Sequence, residues 1–189
     1  MSTTTYVLIA VALIVLFGII SFNRLVALRQ AWIRAFADID VQLKQRHDLI
    51  PNLVETVKGY AAHESGVFTK VTEARAAAMR ATSVGEKSAA EGQLSGALAN
   101  LFAVAENYPQ LKANENFLQL QGELGDLENK IAAARRFLNN AVAEYNAAIQ
   151  QFPNVLFAGA LGFTPAQMFE LDAAERAATK EPPKVSFGA

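Results

Sequence analysis

The chain has 189 residues, 52% of them apolar and 19% charged, which leaves room for one compact domain and an appendage but excludes two large catalytic domains. Alanine is prominent while glycine and proline are few, so helix is favoured over sheet, and the net charge of -1 offers no basic footprint for nucleic acid. The absence of cysteine excludes disulfides, thiolate metal sites and a lipid-modified N-terminal Cys, so stability must come from packing.

From Tyr6 to Phe22 the sequence YVLIAVALIVLFGIISF is uncharged over 17 residues. A helix of this kind can cross the hydrocarbon of a bilayer, whereas a core helix of a soluble domain would show a polar face. A removable signal peptide is the competing reading. It would carry basic residues before the apolar run and a small-residue cleavage site after it, and neither is present. The spacing predicts a retained, single-pass anchor that contacts lipid through residues 6–22. Arg24, Arg29 and Arg34 follow the run and no basic residue precedes it, which places the C-terminal side in the cytoplasm. An exported domain behind an internal signal anchor is the alternative, with these arginines merely a solvated face.

Beyond the anchor, Leu25, Leu28, Trp32, Phe36, Ile39, Leu43, Ile50, Leu53, Val57 and Tyr60 step by three and four, interrupted at Arg46. Their mean repeat of about 3.5 residues is the period of helices that keep a common seam. Pro51 predicts a kink or break near His47 to Ile50. Two shorter alanine-rich helices are expected over 67–82 and 87–107, parted at Ser83, Val84 and Gly85. A second long stripe runs through Phe117, Leu120, Leu124, Leu127, Ile131, Ala134, Leu138, Ala141, Tyr145, Ala148 and Phe152, bracketed by Pro109 and Pro153. Its length makes it the natural antiparallel partner of the first. The run NVLFAGALGF after Pro153 is too short to span and reads as a buried connector. A last helix is expected from Thr164 and Pro165, with Met168, Phe169 and Leu171 on its packing side, before an extended or disordered tail. These elements give an all-α protein: an anchor in residues 1–23, an antiparallel four- to five-helix bundle with two long coiled-coil-like helices in 24–179, and the tail in 180–189.

Chemistry is sparse. His47 with Asp48 and His63 with Glu64 are adjacent on the chain, so on a helix they diverge by about 100° and do not converge on one atom. HESGV lacks the second His of a zinc-binding HExxH helix. The bland reading for both His is a surface or capping role. Arg46 interrupts an apolar seam, and either pairs with an acid on the second long helix, Glu123 or Glu128, or extends its head to solvent. Arg34 with Asp38 and Lys44 with Asp48 are spaced for surface pairs. No phosphate loop, nucleophile elbow or carboxylate cluster occurs, so no catalytic, cofactor-binding or metal residue is assigned and no cofactor is expected.

The stretch IDVQLKQRHDLIPNLVETVKGYAAHE, Ile39 to Glu64, resembles the signature of the LemA family of bacterial membrane proteins. So do FNRLVALRQAW after the anchor, FLQLQGELGDLENKIAAARRFLNNAVAEYN in the second long helix, and FPNVLFAGALGF with the Phe169, Glu170 pair. The resemblance implies a bacterial inner-membrane protein with its N-terminus outside and a helical bundle in the cytoplasm. It supplies no reaction and no catalytic residues, and the partners it suggests are other membrane proteins, membrane proteases and their associates among them. A scaffold or assembly protein that binds copies of itself or partner helices is the first reading; a hydrolase, or a regulator of a membrane protease, with an unrecognised site is the second.

Overall fold

The computed structural model describes residues 2–170 and is helical with no strand among them. Five α-helices follow in order: α1 (Thr3–Lys58), α2 (Ser65–Arg80), α3 (Val84–Ala105), the single turn α4 (Pro109–Lys112) and α5 (Glu115–Gln150), then a 3₁₀ turn at Asn154–Leu156. The chain divides into two compact units, one of Met1–Ile39 with Ala134–Met168, the other of Asp40–Ala133 with the segment from Phe169. Both long helices contribute to each.

In the first unit, Leu25, Tyr145, Ala148, Ile149, Ala158 and Phe163 form the buried core, with Val26, Leu28 and Trp32 packed against it. Trp32 lies on Tyr145, ring centroids 6.3 Å apart. Burial pushes the Tyr145 phenol up from its usual range, against the opposing pull of the Arg29 charge, so it stays protonated and donates to the Thr164 carbonyl at 2.9 Å. Asn146 adds a two-way bond to Ala166, its side chain donating at 2.9 Å and accepting at 2.8 Å. These side chains occupy backbone groups that a helix would need, which is why no helix starts at Thr164 and residues 163–170 are irregular. Phe169 is buried as expected, Met168 is exposed, and Leu171 and the expected tail lie outside the described residues.

In the second unit the core joins Ile50, Leu53, Val54 and Val57 of α1 to Phe68 and Val71 of α2, Leu94, Leu98 and Leu101 of α3, and Phe117 and Leu124 of α5. Arg46 meets Glu128, and Tyr60, fourteen residues on, meets Asn114, fourteen residues back, so the two strands of chain run antiparallel here. The break between α2 and α3 falls where it was expected, but Val84 and Gly85 already belong to α3. Ser83 is its N-cap: its hydroxyl accepts from the Glu86 backbone while the Glu86 carboxylate accepts from Ser83 N and Thr82 N. Those bonds hold the Glu86 carboxyl below the usual range, so its contribution exists above the unfolded carboxylate range and is lost as pH falls through the lowered folded value. Ser83→Ala is expected to cost about 0.5–2 kcal/mol in urea unfolding.

Three further expectations are corrected. The break expected near His47 to Ile50 does not occur, and helix α1 continues through Pro51. Proline has no N–H for the carbonyl four residues earlier, that of His47, and the Arg75 Nε of α2 donates to it instead at 2.7 Å. Phe152, the last member of the second stripe, lies past the end of α5 and is 80% exposed. The connector after Pro153 is only partly buried: Ala158 and Phe163 face the core while Val155, Leu156 and Leu161 are exposed.

Candidate functional site

Two features stand apart from ordinary packing. The first is the start of α1, where every large apolar side chain from Tyr6 to Ile20 is exposed, in a helix long and apolar enough to cross a membrane. Apolar residues facing water on all sides of a helix have no stable place in an aqueous protein.

The second is a cluster of charge inside the second unit. Leu43, His47, Ile50 and Val54 step by four, three and four along α1, so His47 points into the core, 6% exposed, beside Arg46 at 2%. On α3 the same spacing places Glu91, 5% exposed, in line with Leu94, Leu98 and Leu101. His47 Nε2–H donates to Glu91 Oε1 at 2.6 Å, and Arg46 Nη1 donates to Oε2 at 3.4 Å. Arg46 Nη2 donates to the Ser95 hydroxyl at 2.8 Å, and its Nε lies 3.0 Å from Glu128 Oε1, an ion-pair distance without the alignment of a hydrogen bond. Burying one charge unpaired would be very costly; here the guanidinium has two carboxylates and the buried carboxylate has two donors.

A groove of about 330 Å³ opens beside the cluster, lined by Leu43, His47, Ala78, Met79 and Glu91 with Asp40, Lys44, Asp48 and Lys87. Its rim charges are matched: Lys87 to Asp40 and Lys44 to Asp48, each at 2.6 Å. The Lys44 bond holds the Asp48 carboxyl below the usual range. Both oxygens of Glu91 are engaged, one by Arg46 and the other by His47. Among the described residues no group of three or more His, Asp or Glu side chains is placed to hold a metal ion. The arrangement ties α1, α3 and α5 together by charge.

Of the residues weighed from sequence, Arg46 pairs with Glu128 as one alternative had it, whereas Glu123 bonds Gln119. His47 is corrected from a surface position to a buried one, its partner Glu91 rather than the adjacent Asp48, because the unbroken helix carries it inward. His63 is exposed in the turn after α1. Lys44 and Asp48 form the expected surface pair.

Comparison with known proteins places these features in a family. Magnetosome protein MamQ of Magnetospirillum gryphiswaldense is 24% identical over 159 residues, covering 70% of this chain and 58% of its own length. Magnetosome proteins MamQ 1 and MamQ 2 of Paramagnetospirillum magneticum are each 24% identical over 160 residues, covering 71% of this chain and 59% of their own length. The chain thus spans under two thirds of these curated relatives. A profile of the LemA family matches residues 35–187, from the middle of α1 past the last described residue. With most of its length so matched, the chain belongs to the LemA family.

Proposed function

We propose that this protein is a membrane-anchored scaffold or assembly subunit, spanning the bacterial inner membrane once through residues 6–22 and acting by helix contacts with its own copies or other membrane proteins. The observation that carries the reading is α1 itself: an apolar stretch with its side chains outward, continuing without a break into a packed helical domain. The magnetosome relatives support a membrane-associated setting. Arg24, Arg29 and Arg34 after the span support a cytoplasmic domain. The matched charges of the buried cluster favour a structural over a catalytic use.

Beside its main stripe the first long helix carries a second apolar set, Val26, Ile33, Val41 and Val54, which one antiparallel partner does not cover. Val54 is buried and Val26 packs against the core of the first unit, whereas Ile33 and Val41 are exposed, as is Phe137 of α5. The chain has no cysteine, so single cysteines at Ile33 and Phe137 report cleanly. A short bis-maleimide in native membranes at wild-type expression is expected to give covalent dimers at one or both, and none at exposed Gln119. Equal yields at all three, or no dimer anywhere, would remove self-assembly from the reading. The Ile33 cysteine also tests orientation: a membrane-impermeant maleimide should label it only after the cells are permeabilised, and labelling of intact cells would place the domain outside.

A further inference from the structure

The loop that follows α5 carries four large apolar side chains turned away from the protein: Phe152 at 80% exposure, Leu156 at 73%, Val155 and Leu161 at about half. Exposed apolar residues are ordinary when scattered, but these lie within ten residues of one another. The segment from Tyr145 to Phe169 contains no Asp, Glu, Lys or Arg, so no charge in it opposes transfer out of water. Its backbone is largely closed on itself. Ala158 N bonds Asn154 O, Leu161 N bonds Phe157 O and Phe163 N bonds Ala158 O, at 2.8 to 3.0 Å, and the buried Asn154 side chain donates to Ala148 O at 2.9 Å. Gly162, at φ +79°, makes the turn that returns Phe163 to the core. A loop whose backbone is largely bonded to itself is one that the edge of an apolar medium tolerates, although the buried Asn154 Oδ1 lacks a partner.

Its position identifies that medium. Phe163 packs edge-to-face on Phe22, ring centroids 5.7 Å apart, and Phe22 is the last residue of the uncharged run of α1. Ser21 and Leu25, on either side of it, are buried while Phe22 itself and the run before it are exposed. Arg24, the first charge, lies two residues further on and marks the polar side of the boundary. The loop is therefore held at the level where the span ends.

We infer that the loop around Phe152, Val155, Leu156 and Leu161 is a second membrane contact, seated in the interfacial layer of the same leaflet that receives Arg24. The inference rests on the reading of residues 6–22 as the span. A contact of this kind reaches about 5–10 Å into the boundary between headgroups and acyl chains. Together with the anchor it gives the domain two points of attachment, which restricts its tilt against the bilayer.

The test uses the full chain in vesicles of equal parts phosphatidylcholine and phosphatidylglycerol, with an environment-sensitive fluorophore on single cysteines at Leu156, at Leu13 in the span and at Gln119. The expected result at Leu156 is blue-shifted emission, severalfold stronger quenching by shallow nitroxide-labelled lipid than at Gln119, and weak quenching by iodide. Leu13 should respond to deep nitroxide lipid. If Leu13 responds and Leu156 behaves like Gln119, the lipid contact is wrong while the anchor stands. If Leu13 itself is open to iodide, the anchor fails and the inference with it. Blue-shifted emission at Leu156 without lipid quenching would assign the loop to a protein partner and overturn the inference. A label at Phe152 repeats the test should the Leu156 variant fold poorly.

Discussion

Replacing Glu91 by Ala is expected to destabilise the folded protein by about 3–5 kcal/mol, the cost of removing one partner from a buried ionic cluster. The size follows from what is left behind: a guanidinium 2% exposed and an imidazole 6% exposed, without the carboxylate that both face. Glu128 remains near Arg46, but its side chain is 48% exposed, so it screens the orphaned charge only weakly. Glu128→Gln should accordingly cost under about 1 kcal/mol. The informative variant changes the cluster as a whole. Arg46→Met, His47→Leu and Glu91→Leu together replace charge by apolar volume, and such exchanges are often neutral or stabilising by about 1–4 kcal/mol. Recovery of most of the Glu91→Ala loss in that triple variant would show that the cluster as a whole adds little to stability. Urea unfolding of the detergent-solubilised protein, followed by helical circular dichroism, measures all three. A Glu91→Ala loss under about 0.5 kcal/mol, the level of surface changes, would mean the site is wet or rearranged.

Much of this arrangement was legible in the sequence. Both long stripes end up inward almost residue by residue, since a repeat of three and four leaves a helix one face to bury. The interruption at Arg46 left pairing with Glu123 or Glu128 and exposure to solvent as alternatives, and Glu128 is the acid beside it. Glu91 was missed although a signal existed. It precedes Leu94, Leu98 and Leu101 in steps of three, four and three, so its burial was implied by the same periodicity that was applied to α1 and α5. The alanines around it hid the stripe, because alanine fits either face. Once Glu91 is inward, His47, four residues after Leu43, becomes its partner rather than a surface residue.

The failures at Pro51 and at Thr164 have one cause. Proline at position 51 and the Thr-Pro pair at 164 and 165 are local signals, and each was overridden by side chains from another element. Arg75 takes the carbonyl that Pro51 leaves without a partner, which removes the reason to break the helix. Tyr145 and Asn146 take the backbone groups of Thr164 and Ala166, which removes the reason to form one. Neither partner is near in sequence, so no reading of the local pattern could supply it. The apolar loop after Pro153 belongs with these. Its composition suggested burial, whereas Val155, Leu156 and Leu161 face outward, an exposure that the inferred membrane contact would account for.

Leu124→Ala should rank with the Glu91 variant in effect, at about 2–5 kcal/mol and toward the upper half of that range. Leu124 is 4% exposed in the core that joins α5 to Ile50 and Leu53 of α1. Truncation removes three carbon atoms, worth roughly 2 kcal/mol of transfer free energy at about 0.8 kcal/mol per buried methylene, before any cavity is counted. The core it belongs to draws residues from α1, α2 and α3 as well as α5, so a shift of one helix does not close the site, and a residual cavity adds to the loss. Leu43→Ala provides the contrast. Leu43 is as well buried, at 2%, but it lines the groove beside His47 and Met79, where water can enter the space vacated. Its loss should fall in the lower half of the same range. Leu118, on α5 but 51% exposed, is the control, expected within about 0.5 kcal/mol of wild type when changed to Ala. Urea midpoints at unchanged m-value read the three directly, since a constant slope means the change lies in stability and not in the compactness of either state. Losses under about 0.5 kcal/mol at both Leu124 and Leu43 would remove the antiparallel seam of α1 and α5 from the account, whereas a large loss at Leu118 would mean that its exposed face is covered by another molecule.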